Sequence, residues 1–429
     1  MTVGLLIITV FATCFAMVAQ RLSSTWLTAP MVFIAFGYVL SVTGLFPHEN
    51  AEHLLHIVAE VALILLLFLD AAQIRLGALR KQHVWPVRML VFGLPLAIAL
   101  GTLAAWLFLP QWPLFALALV ASILAPTDAA LGQAVVTNHL VPERSRQALT
   151  VESGLNDGMA LPAVLLFASL TAEVMQQDDT NWVLFGAKQL VLGPLVGLAV
   201  GFAGGHVLMW AKRSKFTADA YEGVGAIALA GSAYLAANLI GGNGFISAFV
   251  AGLSFGYVVK GQCKFVYEFT ESEGLLLTWG AFFLLGLTLL PEALEHLSWQ
   301  HSALILTSLF IVRPLAIWCS LLGSDASPLT RLFFGWFGPR GLATALFALL
   351  VVPQVDHELA TPILALAINA VWISALLHGL SAQPGAAWYA ARVGEMGPCA
   401  ETEPVQQTAK PLKTLDLQTE SPQNRYDER

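Results

Sequence analysis

Residues 151–162 read VESGLNDGMALP, and they place two carboxylates, Glu152 and Asp157, inside an otherwise apolar segment running from about 147 to 172. A carboxylate in hydrocarbon is costly, so such residues are rare there and usually functional. The surroundings are membrane-like throughout. Hydrophobic residues make up 57% of the 429 and charged residues 11%, against about 25% charged in soluble domains. The chain therefore reads as a polytopic, all-α membrane protein. A net charge of −7 gives no reason to expect nucleic acid. Cys14, Cys263, Cys319 and Cys399 are scattered without CxxC spacing, so neither a metal site nor a disulfide framework is expected. The first apolar run lacks a basic leader and reads as a spanning helix, not a cleaved signal peptide.

Outward from this stretch, apolar segments long enough to span fall near residues 3–20, 27–46, 54–73, 88–109, 113–137, 147–172, 182–210, 221–240, 243–260, 275–291, 301–322, 330–353 and 359–380. That predicts thirteen helices. The charges check the count. Thirteen basic residues fall in the odd-numbered loops, five follow the last helix, and the even loops hold none. Only Lys188, Arg313 and Arg340 lie within helices. By the positive-inside rule the odd loops and the C-terminus are cytoplasmic and the N-terminus is outside. Residues 1–390 thus form the transmembrane domain. Residues 391–429 turn to Gln, Thr, Glu, Pro and Lys and read as a disordered cytoplasmic tail.

Helix 5 is interrupted at Ala125-Pro126-Thr127-Asp128 and helix 12 at Gly338-Pro339-Arg340-Gly341. They are the fifth members of two six-helix sets, 1–6 and 8–13, which the connecting helix 7 gives opposite orientation. Paired broken helices in inverted halves point to a transporter's binding site. Two ordinary proline kinks are the bland alternative, but each break here carries a charge deep in the membrane. Helix 7 has glycines at 193, 197, 201 and 205, a ladder suited to close helix packing and to a seam where bundles slide.

On helix 6, Glu152 and Asn156 share one face and Ser153 and Asp157 the adjacent one. Gly154 and Gly158 form a small-xxx-small pair that admits a neighbouring backbone. These oxygens suit a hard monovalent cation, and a buried carboxylate that binds one also competes for protons. Arg313 and Arg340 need partners at this depth. Set against Glu152, Asp157 and Asp128, they leave one acid free, and Asp157 is the candidate. Glu152 reads as a structural partner of an arginine. Asp128 is placed to cap the positive end of the helix 12 break or to pair with Arg340. The Thr127 hydroxyl and nearby freed carbonyls are candidate cation ligands. Asp70 ends an apolar run just before Arg75 and reads equally as its ion-pair partner or as part of the ion pathway. Glu60 has no evident partner, and His206 and His378 receive no role.

These features resemble the monovalent cation:proton antiporters of the sodium/proton exchanger superfamily, NhaP/NHE-type. The resemblance rests on Glu152-Ser-Gly-Leu-Asn156-Asp157-Gly, Pro126-Thr127-Asp128, Phe68-Leu69-Asp70-Ala, Arg313-Pro314-Leu315 and Gly338-Pro339-Arg340-Gly341, and covers residues 1 to about 390. It implies an antiporter fold and a homodimer in the cell inner membrane. In that fold a core bundle moves against a dimerisation bundle. Asp157 would bind Na⁺ (or Li⁺ or K⁺) and H⁺ in turn. It also implies that Thr127, Ser153 and Asp70 help line the ion site, with Asp157, Ser153 and Thr127 as Na⁺ ligands, and that Glu152 pairs with Arg340. Asn156-Asp157, where electrogenic relatives carry two aspartates, implies electroneutral one-for-one exchange. Ala129 departs from the proline that many relatives have. No cofactor and no enzymatic activity are expected. A cation channel lacks the repeated filter or continuous polar pore it would need, and for an intramembrane hydrolase Ser153 lacks a Gly-x-Ser-x-Gly setting.

Overall fold

The computed structural model describes residues 2–22, 25–44, 49–74, 84–175, 182–263 and 273–403, all helical or irregular. The helices follow the order of the apolar segments. They are α1 (Thr2–Leu22), α2 (Ala29–Val42) and α3 (Glu49–Gln73). Next come α4 (Val84–Phe108) and α5, whose halves are Leu114–Ile123 and Ala129–Val136. Then follow α6 (Glu143–Met175), α7 (Trp182–Arg213), α8 (Asp219–Leu239) and α9 (Gly244–Val259). α10 is built from Glu273–Leu284, Leu285–Leu289 and Leu290–Glu295, and α11 covers Trp299–Ser320. α12 has halves Pro328–Trp336 and Leu342–Val351, and α13 is His357–Glu395. Among the described residues α4, α6, α7, α10, α11 and α13 are long and apolar enough to cross a membrane, and several others are shorter than the sequence predicts. Both breaks lie where the sequence places them.

Local signals explain the helix ends. Asn243 caps α9 by accepting the Ile246 N–H at 3.0 Å. Ser327 caps the first half of α12 by accepting the Thr330 N–H at 3.2 Å, with Pro328 at the first helical position. Prolines inside α4, α10 and α11 share one solution. Pro95, Pro291 and Pro314 each follow, by two residues, a single π turn, at Met89–Gly93, Leu285–Leu289 and Ser308–Val312. A proline cannot donate to the preceding turn and its ring crowds that turn's carbonyl, so a widened turn just upstream relieves both defects.

Glycines set the spacing around α3. The four α7 glycines all face α9: a Cβ at Gly197 would meet the Ser247 carbonyl, and one at Gly201 the Ser254 side chain. This seam brings the backbones of α7 and α9 into contact, which makes the two helices one packed unit. The other side of α9 presses on α3, where Gly252 and Gly256 lie against the carbonyls of Phe68 and Ala72. Asp70 sits between those two contacts and its height is thereby fixed.

The packed domain does not end at 390. Ala382, Ala386, Tyr389 and Val393 continue one buried face of α13, and the Tyr389 ring stacks on Phe333 at 3.9 Å. Beyond α13, a 3₁₀ turn at Ala400–Thr402 buries Glu401. The polar composition of this region hides an apolar stripe at helical spacing, which is why composition alone ends the domain early. Residues 404–429 lie outside the described residues.

Candidate functional site

The two breaks meet. The Asp128 N–H donates to the Pro339 carbonyl at 2.9 Å. The Asp128 carboxylate accepts from the Leu342 N–H at 2.6 Å and from the Leu131 N–H at 3.3 Å. One aspartate therefore caps the positive ends of two half-helices, that of its own α5 and that of α12. Arg340 serves the negative ends. Its Nη1 donates to the carbonyls of Ala125 at 3.1 Å, Pro126 at 3.3 Å and Gly338 at 3.4 Å. Both glycines of the Gly-Pro-Arg-Gly stretch are clearances for charge. A Cβ at Gly338 would run into the Arg313 guanidinium and one at Gly341 into the Asp128 carboxylate.

α13 holds the α12 break from behind. The Arg340 N–H donates to Ser374 Oγ at 2.7 Å. His378 Nε2 lies 2.9 Å from the Trp336 carbonyl and Nδ1 2.9 Å from the Ser374 carbonyl, with the Trp336 indole stacked on the imidazole. His378, without a role in the sequence, is thus part of the support for the α12 break. The four-residue spacing of Ser374 and His378 on one helix face was the available signal.

Glu152 pairs with Arg313, not with Arg340 as the resemblance implies. The guanidinium of Arg313 meets both carboxylate oxygens, at 3.2 and 3.3 Å, with both residues buried. The reason is lateral placement. The α11 π turn ends at Val312 and Gly338 leaves room for the side chain, so Arg313 reaches Glu152 while Arg340 is taken by carbonyls. Asn156 Nδ2 donates to Glu152 at 3.0 Å and to Thr127 Oγ1 at 3.1 Å, and Thr127 Oγ1 donates to Glu152 Oε2 at 3.3 Å. The Thr127 hydroxyl is thus committed to the Glu152 side. The Ser153 hydroxyl donates to the Thr127 carbonyl at 3.0 Å.

Asp157 lies on the next face, and its Oδ1 is buried with no hydrogen-bond partner among the described residues. Asn156 Oδ1, turned away from the Glu152 knot, is likewise buried and unpartnered. Beside them a Cβ at Gly158 would run into the Phe249 ring of α9, whereas one at Gly154 would meet Ile74 only at an ordinary 3.9 Å. Asp70 and Asp128 lie within electrostatic reach of Asp157 and, like it, remain partly exposed. Four acids thus gather around two arginines, one of which is paired with Glu152. A small cavity of about 40 Å³ between α5, α6 and α12 is lined by Thr127, Asp128, Thr150, Glu152 and Ser153, not by Asp157. The expected Arg75 partner of Asp70 lies outside the described residues. Glu60 accepts a hydrogen bond from the Tyr234 hydroxyl, far from the breaks.

Known proteins share this fold. The sodium proton antiporter MjNhaP1 from Methanocaldococcus jannaschii superposes with a TM-score of 0.76 at 19% identity, covering 91% of this chain and 98% of its own. The K(+)/H(+) antiporter NhaP2 of Shewanella sp. (strain ANA-3) is 29% identical over 364 residues, 82% of this chain and 61% of the relative. The K(+)/H(+) antiporter NhaP of Alkalimonas amylolytica is 26% identical over 391 residues, 89% of this chain and 66% of the relative. The chain therefore spans about three-fifths to two-thirds of the length of these relatives. The family model described as sodium/hydrogen exchanger, transmembrane, matches residues 6–388. Matched over most of its length, this multi-pass membrane chain belongs to the sodium/hydrogen exchanger family.

Proposed function

We propose that the chain exchanges a monovalent cation for a proton, using Asp157 as the group that binds either one. The observation that carries this reading is the pair of buried acceptor oxygens on Asp157 and Asn156 that no described group satisfies. An orphaned carboxylate oxygen in a low-dielectric site is costly until a cation or a proton neutralises it. The two occupants exclude each other: protonation removes the charge the cation needs, and a bound cation holds the carboxylate ionised. Glu152 is spoken for by Arg313 and Asp128 by helix ends, which leaves Asp157, with Asp70 beside it, to carry the exchangeable charge. With Asn156 where a second carboxylate would stand next to Asp157, electroneutral one-for-one exchange is the proposed stoichiometry. Ser153, the Thr127 carbonyl and Asp70 are proposed to complete the cation's surroundings. K⁺ stands beside Na⁺ as a candidate, because the relatives named above carry K⁺ in their names and the superposed structure is called a sodium proton antiporter.

Alternating access follows if α4–α6 and α11–α13, which carry the crossed breaks, move against the glycine-sealed stack of α3, α7 and α9. A homodimer in the cell membrane is the accompanying proposal, with the basic loops and the C-terminus cytoplasmic, an orientation that the charge alternation supports. The test is flux in proteoliposomes loaded with a pH dye. An imposed gradient of Na⁺, K⁺ or Li⁺ is expected to move protons without net charge transfer. A cation conductance indifferent to the proton gradient overturns the reading in favour of a channel.

A further inference from the structure

Among the described residues only two that are not glycine adopt a left-handed backbone, and both are lysines: Lys215 at φ 58° and Lys260 at φ 50°. Each sits just past a helix end on the face that carries the basic loops. Lys215 closes α7 in a Schellman arrangement. Its own N–H donates to the Lys212 carbonyl at 3.1 Å, and the Phe216 N–H donates to the Ala211 carbonyl at 2.9 Å. Lys260 closes α9, its N–H donating to the Gly256 carbonyl at 2.9 Å. Glycine is the usual occupant of such positions because it has no Cβ to crowd the carbonyl. Gly241, Gly261, Gly323 and Gly397 show that this chain uses glycine for left-handed turns elsewhere.

Both lysines are exposed, and neither ammonium has a partner among the described residues. The two turns lie on one rim. Lys212 Nζ donates at 2.9 Å to the carbonyl of Gln262, two residues beyond Lys260. Arg213 adds a third exposed cation. On the same turn the Trp210 and Phe216 rings pack together at 5.4 Å and remain 60% and 75% exposed. Exposed aromatics beside exposed cations match the boundary of a bilayer, where rings sit at headgroup level and cations meet phosphate.

We propose that this rim, formed by Arg213, Lys215 and Lys260 with Trp210 and Phe216, is a binding surface for anionic phospholipid headgroups of the adjoining leaflet. Complementary charge favours that occupant over the chain's own C-terminal segment. Residues 404–429 hold four acids and four basic residues and carry no net charge to offer. The surface does not depend on which ion the chain exchanges, so its test stands apart from transport.

The test uses the full chain in detergent, titrated with phosphatidylglycerol or phosphatidylcholine, with bound lipid counted by native mass spectrometry and the melting temperature recorded. Phosphatidylglycerol is expected to bind more tightly than phosphatidylcholine. The double variant Lys215→Gly/Lys260→Gly is expected to bind it about tenfold more weakly. Glycine suits both backbones, so the variant's melting temperature without lipid is expected to stay level or rise. Lys215→Arg/Lys260→Arg is expected to keep the binding. Unchanged phosphatidylglycerol affinity in the glycine variant overturns the proposal and leaves the lysines as helix-end charges. Equal loss of phosphatidylcholine overturns it as well, since charge would then not be what is read.

Discussion

Glu152 and Asp157 lie five residues apart on α6, and folding treats them oppositely. Glu152 is met by the Arg313 guanidinium, the Asn156 amide and the Thr127 hydroxyl. Asp157, on the neighbouring face, keeps a buried oxygen that nothing described satisfies. Two of the acids around it are compensated, Glu152 by an ion pair and Asp128 by two helix ends. The exchange proposed at Asp157 rests on this asymmetry.

The sharpest way to break the contrast is Asp157→Asn. The amide keeps the shape and removes the exchangeable charge. Proton movement driven by a cation gradient is expected to fall to the rate of empty vesicles, with the melting temperature unchanged or raised. Wild-type flux in this variant would remove Asp157 from the mechanism.

The opposite result is expected on the other face. Arg313→Ala leaves Glu152 buried and unpaired, which costs about 3–5 kcal/mol. The melting temperature should drop steeply. Adding Glu152→Gln to that variant should recover much of the loss, because the orphaned charge is gone. If Arg313→Ala melts like the wild type, the ion pair is not what holds α6 to α11.

How much of this contrast the sequence revealed differs by layer. The all-helical membrane architecture and the two breaks are legible, because hydropathy and Pro/Gly beside a buried charge are one-dimensional signals. The surplus of acid over arginine was legible for the same reason. Which arginine meets Glu152 was not. Arg313 and Arg340 both read as deep cations, and the choice rests on a π turn in α11 and on space above Gly338, both properties of packing. The continuation of α13 past residue 390 was obscured because composition, not periodicity, set that boundary.

The break glycines sharpen the comparison further. A methyl group at Gly338 displaces Arg313 from above, and one at Gly341 displaces Asp128. Each substitution to alanine is expected to cost about 1–3 kcal/mol by overpacking. Gly338→Ala disturbs only the paired side, so Glu152→Gln should soften its effect. Gly341→Ala should be indifferent to that second change, and double-mutant melting curves check the difference. Equal softening of both would mean that the two charges are not held separately.

Glu401 supplies a third carboxylate, treated like Glu152 but placed outside the membrane. Burial alone would raise its pKa. The hydrogen bonds from the Thr330 hydroxyl at 2.7 Å and the Ser327 N–H at 2.9 Å outweigh that and hold it below the usual carboxylate range. A depressed folded-state pKa gives stability that is fully present above the unfolded value, about 4.3 for glutamate, and is lost as pH falls through the folded value. Glu401→Gln is expected to cost only about 1 kcal/mol at neutral pH. The gap in melting temperature between wild type and variant should hold steady from about pH 6 to pH 8 and close below about pH 4.3. A gap that instead widens on acidification would mean that the Glu401 proton is held more tightly in the folded chain, and that hydrogen bonding at this turn does not overcome burial.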